Sequence, residues 1–159
     1  MQRSAICLGA ALLAVCAPCP AERISAQFSV TATVVPACTG VTASNLDFGT
    51  YVAGGNAADA QSVISVTCSG GTSYTVALDS GVAGAGDSQR NMTGASSALR
   101  YSLFQNPERS AVWGSTASSG KSAAATGAPQ AFPVYGRIFP GQVTPAGQYA
   151  DVITVTVTF

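Results

Sequence analysis

Over residues 149–159, Tyr149, Asp151, Ile153, Val155, Val157 and Phe159 fall on one parity, and Thr154, Thr156 and Thr158 on the other. A period of two sends alternate side chains to opposite faces of a strand, so the segment reads as a β-strand with one apolar and one hydroxylated face. Asp151 is the odd member and marks where the buried stretch begins. The same period recurs along the chain. Phe28, Val30, Ala32 and Val34 share a face of a first strand, opposite Ser29, Thr31 and Thr33, and Pro36 stops it. Leu46, Phe48 and Val52 mark a second, interrupted by Gly49. Ile64, Val66 and Cys68 share a face of a third, and Tyr74, Val76 and Leu78 of a fourth. Ser69-Gly70-Gly71-Thr72 between them predicts a hairpin. Leu99, Tyr101 and Leu103 align in a fifth strand, and a sixth covers residues 132–139, bent or bulged at Gly136. Nothing after the first 26 residues shows a capped 3.6-residue period. The pattern predicts an all-β sandwich. Residues 81–97 and 114–129, rich in Gly, Ala and Ser, read as exposed excursions.

Residues 1–26 read as a secretory signal peptide, with Arg3 as the positive start and residues 6–15 as the apolar run. Cleavage after Ala26 would leave Gln27 first; Ala21 is a second candidate site. Leu13-Ala14-Val15-Cys16 is similar to a lipid-attachment box, but Val15 is bulkier than the small residue usual there. Of the five cysteines, Cys7, Cys16 and Cys19 lie in the leader, which leaves Cys38 and Cys68. Both border alternating strands in a chain bound for an oxidising compartment, so the expectation is that they bond to each other. Beyond the leader no apolar run approaches the ~18 residues a membrane-spanning helix needs.

Removing the leader from 159 residues leaves 133, the size of one domain. That part carries Arg90, Arg100, Arg109, Lys121 and Arg137 against six acidic residues, with no block of either sign. Nucleic acid and anionic membranes both require clustered cations, so neither is expected as a partner. A surface so poor in charge is weakly protected against association and suits a protein that assembles. The chain has no histidine. This removes the commonest general base, the Ser-His and Cys-His nucleophile pairs and the usual zinc ligand. Gly120-Lys121-Ser122 looks like the end of a phosphate-binding loop, but Ser115 stands where its first glycine belongs. Asp79 and Asp87 read as turn-forming aspartates rather than a catalytic pair. Trp113, Tyr51 and Tyr135 could stack on sugars, with packing the competing role. The expectations are no enzymatic activity, no cofactor or metal, and no small-molecule substrate.

Several short motifs occur in order: an alternating N-terminal segment ending at Cys38, then Leu46-Asp47-Phe48-Gly49, Ile64-Ser65-Val66-Thr67-Cys68 and Tyr74-Thr75-Val76-Ala77-Leu78. Arg90-Asn91-Met92, Leu99-Arg100-Tyr101-Ser102-Leu103-Phe104, Trp113-Gly114 and Val134-Tyr135-Gly136-Arg137-Ile138 follow. Gly147-Gln148-Tyr149-Ala150-Asp151 leads into the terminal strand. Together these resemble the spore coat protein U-like domain, shared with pilin subunits of the archaic chaperone–usher pathway. The resemblance implies an immunoglobulin-like sandwich lacking its last strand and completed by donor-strand exchange: a periplasmic chaperone fills the gap first, an outer-membrane usher assembles the subunits, and the N-terminal segment of the next copy or of a related pilin replaces the chaperone. On that reading residues 27–37 form the donor segment, with Phe28, Val30, Ala32 and Val34 as its anchors, and residues 38–159 form the sandwich. Tyr149, Ile153, Val155, Val157 and Phe159 form the edge strand of the acceptor groove. The implied role is a structural subunit of a secreted surface pilus that supports adhesion and biofilm formation. Two alternatives stay open: a coat or matrix protein without an usher system, and a tip adhesin, which resembles two domains in series. The first strand could equally fold back to complete its own domain.

Overall fold

The computed structural model describes residues 22–84, 86–94 and 97–159. The expected leader falls mostly on residues 1–21, outside the described residues. The chain divides into two units, residues 1–33 and 34–159. In the first, residues 22–33 carry no regular element, and Phe28 and Val30 are 86% and 82% exposed. The strand expected over residues 28–34 is therefore not formed. A strand draws its hydrogen bonds from a neighbour, and a single extended segment has none of its own.

The second unit holds eight strands: β1 (Cys38–Ala43), β2 (Ala58–Cys68), β3 (Ser73–Leu78), β4 (Arg90–Gly94), β5 (Ser97–Phe104), β6 (Lys121–Ala124), β7 (Gln130–Ile138) and β8 (Val155–Thr158). They pair antiparallel into a five-stranded sheet, β1-β2-β7-β5-β4, and a three-stranded sheet, β6-β3-β8. No helix occurs among the described residues. The first sheet turns Ile64, Val66, Tyr101, Leu103, Val134 and Ile138 inward, and the second answers with Tyr74, Val76 and Leu78. Trp113, fully buried between them, donates its Nε1–H to the Val76 carbonyl at 2.9 Å. Core packing is thus its role. The architecture is the expected all-β, immunoglobulin-like sandwich.

Several local expectations are corrected. The β2–β3 hairpin is an arch: β2 pairs with β1 and β7, β3 with β6 and β8, and the 69–72 turn carries the chain from one sheet to the other. Both strands keep even-numbered residues inward, which suits facing sheets as well as a hairpin, so parity could not distinguish the two. Residues 46–52 form no strand. Their place beside β2 is taken by β1, and Leu46 and Phe48 instead tuck over β7. They can do so because Gly136 sits at a core-facing position: a Cβ there would lie 2.8 Å from Phe48 Cζ and 3.0 Å from Leu46 Cδ1. Gly136 makes no bulge, since the β2–β7 register runs unbroken from Ala58↔Ile138 to Val66↔Gln130. The two supposed excursions contain β4 and β6, and the first carries fully buried Arg90. Finally, only residues 155–158 of the terminal segment pair as a strand, with Thr75–Leu78 of β3. Cys38 and Cys68 are opposite one another in the β1–β2 register and are disulfide-bonded, as expected. At a sequence separation of 30, the bond stabilises the fold by about 3–4 kcal/mol on the chain-entropy account.

Candidate functional site: an open groove beside the last strand

β1 ends the five-stranded sheet and β8 ends the three-stranded one, so each leaves one edge without a partner strand among the described residues. An edge strand presents a row of unpaired N–H and C=O groups, a template for one more strand. Between the end of β1 and the approach to β8 lies a cavity of about 410 Å³. Its floor is the inner face of the first sheet, contributed by Ile64, Tyr101, Leu103 and Val134. One wall is Ala43, Ser44 and Leu46, and the other is Tyr149, Ile153 and Val155. A second cavity of about 630 Å³ shares Leu46, Phe48, Met92 and Tyr149 with the first and extends it to Leu99, Ile138 and Pro145. The sandwich thus opens along one side onto its own core.

The side chains of the last segment record the opening. Ile153, Val155 and Val157 turn toward the core yet are only half-buried, while Thr154, Thr156 and Thr158 are exposed. Tyr149 lines both cavities, and its hydroxyl donates to the Pro145 carbonyl at 2.8 Å. Phe159 is 58% exposed and lies with Tyr74 and Ala123 at a separate depression below β3. Of the five residues expected at the groove's edge strand, Tyr149, Ile153 and Val155 line the groove, Val157 packs on the core behind it, and Phe159 stands apart. Phe28, Val30, Ala32 and Val34 are all exposed.

Polar groups cluster where the last segment enters the second sheet. Ala150 bridges Thr93 of β4 through two backbone bonds of 2.9 and 3.0 Å. Asp151 then accepts the Tyr101 hydroxyl at 2.7 Å and the Val82 amide at 2.9 Å. Asp79 accepts the Thr154 and Gly81 amides at 3.0 and 3.1 Å. Burial and the neighbouring Asp151 carboxylate push the Tyr101 hydroxyl upward, so it remains a donor. Burial opposes the Asp79 charge, but hydrogen bonds from Thr154 and Gly81, with Arg90 nearby, outweigh it and hold that carboxyl below the usual range. Asp79 closes the turn expected of it through the Gly81 amide, and it also anchors Thr154, 75 residues away in sequence. The buried role of Arg90 has no counterpart in the sequence reading; the only signal for it is the Arg90-Asn91-Met92 motif. Among the described residues no three His, Cys, Asp or Glu side chains gather as a metal site.

The profile of the Spore Coat Protein U domain matches residues 24–156. The chain belongs to the spore coat protein U domain family. The match takes in the N-terminal segment as well as the sandwich. Among curated proteins, Protein U of Myxococcus xanthus is 32% identical over 166 residues, covering 94% of this chain and 93% of that one. Among solved structures, the chain is similar to a chain in the CsuC–CsuE chaperone–tip adhesion subunit pre-assembly complex from the archaic chaperone–usher Csu pili of Acinetobacter baumannii. The two share 30% identity with a TM-score of 0.61, over 80% of this chain and 40% of the solved one. This chain therefore spans less than half of that structure's length.

Proposed function

We propose that the chain is a structural subunit of a secreted surface pilus of the archaic chaperone–usher type, supporting adhesion and biofilm formation and assembled by donor-strand complementation. The observation that carries this reading is a complementary pair within one sequence: an apolar groove opening beside the free edge of β8, and an exposed segment whose apolar residues alternate at strand spacing. Residues 27–37 of one copy add to the β8 edge of the next, with main-chain bonds supplying affinity and Phe28, Val30, Ala32 and Val34 entering the groove. Burying Phe28, Val30 and Val34 contributes roughly 5–9 kcal/mol before ordering costs, comparable with the stability of a whole domain. The Csu complex, whose own subunit is held by a chaperone before assembly, supports a periplasmic chaperone as first occupant and an outer-membrane usher as the assembly platform. The route is export through the periplasm to the cell surface. Catalysis has no part in this reading: the polar side chains beside the groove are occupied in holding strands.

The family's description as a Spore Coat Protein U domain, together with the likeness to Protein U over nearly the whole of both chains, favours one alternative, a coat or matrix protein built on the same sandwich. Co-expression with a periplasmic chaperone of the archaic type separates the two. The pilus reading expects a stable one-to-one complex and, once the chaperone is displaced, polymers resistant to dissociation. A lone exported monomer that ignores the chaperone and buries Phe28 and Val30 in its own groove would overturn it.

A further inference from the structure

An empty apolar groove has a physical problem: its walls lower their free energy by closing on one another. Once the chaperone leaves, some feature has to hold β8 away from the first sheet until the donor strand is seated. One carboxylate lies where such a feature is needed. Asp151 stands between the Ala150 anchor on β4 and the Thr154 anchor on Asp79, in the stretch that crosses from the first sheet to the second. Its Oδ2 accepts the hydroxyl of Tyr101, whose ring is 4% exposed on the groove floor and is met edge-on by Phe48. Its Oδ1 accepts the amides of Val82 and Val152 at 2.9 and 2.8 Å. Three elements therefore meet on one side chain: β5 of the first sheet, the loop leaving β3 of the second, and the lead-in to β8. Gly81 is fitted to this junction, because a Cβ on it would run into the Asp151 carboxylate. Asp151 also lines the groove itself.

We propose that the Tyr101–Asp151 hydrogen bond is a strut between the two sheets that keeps the acceptor groove open and β8 positioned between release of the chaperone and seating of the donor strand. This rests on the strand-addition reading above and assigns the pair a positioning role within it. Once a donor strand lies in the groove, its side chains separate the walls and its main chain holds β8. The strut then carries little. Its removal should slow strand entry far more than it weakens the filled subunit.

The test uses the exported full chain, released from its chaperone, and a fluorescent synthetic peptide with the sequence of residues 27–37. Uptake is followed by anisotropy, and the filled subunit is then melted. Tyr101→Phe keeps the ring in the core and deletes only the hydroxyl; it should slow uptake by about tenfold, the equivalent of one lost charge-assisted bond. Asp151→Ala should slow it at least as much. Asp151→Asn, whose Nδ2 can only donate where a carboxylate oxygen accepted, should restore only part of the rate. Filled Tyr101→Phe should melt close to the filled natural protein. Uptake by Tyr101→Phe at the natural rate overturns the strut, as does a loss of stability in the filled variant as large as in the empty one. Failure of the natural chain to take up the peptide at all overturns the strand-addition reading, and the strut falls with it.

Discussion

Arg90 is fully buried and aims its guanidinium at four carbonyls: Nε donates to Asp79 at 2.8 Å, Nη1 to Asp87 at 2.7 Å, and Nη2 to Trp113 at 2.7 Å and Leu78 at 3.2 Å. Burial pushes its pKa down, opposed by Tyr101, Asp87, Asp79 and Asp151 around it. The planar fork reaches carbonyls from the end of β3, the loop before β4 and the Trp113 segment at once, which a lysine cannot do from a single point. Removing it strands buried acceptors, which is costly when no water replaces the donor. Arg90→Met should therefore destabilise the sandwich by about 3–5 kcal/mol, and Arg90→Lys should recover only part of that. Denaturant midpoints of the purified chain measure both. A midpoint for Arg90→Met equal to that of the natural protein would mean the carbonyls find other partners. This arrangement was illegible because the segment around Arg90 is polar and glycine-rich, the composition of a loop. Its burial depends on carbonyls contributed from Leu78 to Trp113, and no local pattern encodes that convergence.

Parity was what could be read at the scale of elements. Each apolar set named from period two on β2, β3 and β5 faces the core, because a two-residue period fixes a side chain's face whichever neighbour the strand takes. Pairing could not be read the same way: the arch after β2 and the short β8 depend on which edges are already occupied, and that is settled between distant segments. The groove shows both sides of this. Its edge residues Ile153 and Val155 stood out by parity, whereas its floor, assembled from β2, β5 and β7, could only be located once the sheet order was known. The segment proposed as donor carries the same alternation as the strands, and that alternation yields a prediction by face. Val30→Asp places a charge in a groove that offers it no partner, and should block polymer formation while chaperone-bound subunit still accumulates. Thr31→Asp, on the opposite face, should be milder. Size-exclusion profiles of the two variants decide it, and normal polymers from both would remove the donor-strand reading.

The molecule as a whole has few charges and no histidine, so no side chain of ordinary pKa changes charge between pH 5 and 8. Two carboxyls, Asp59 and Asp79, are held below the usual carboxylate range. Hydrogen bonds from Arg137 hold Asp59 low despite some desolvation, with the Arg109 charge adding to them. Asp59 bridges both guanidiniums on an exposed face, at 2.7 Å to Arg137 and 3.3 Å to Arg109. Asp79, also held low, anchors Thr154 beside β8. A carboxyl whose pKa is lower in the folded than in the unfolded chain adds stability above its unfolded value and loses it as pH falls through its folded one. Asp59, open to solvent, contributes little on that account. Asp79 contributes more, because its amide partners belong to the strand that borders the groove. Thermal stability of the exported subunit should therefore be flat from pH 5 to 8 and decline below about pH 4, with amide-exchange protection at Thr154 and Val155 among the first to be lost. Asp79→Asn should flatten much of the acid decline while lowering stability at neutral pH. A transition centred near pH 6 would point to a titrating group that the histidine-free sequence does not supply, and would overturn this account of its charge.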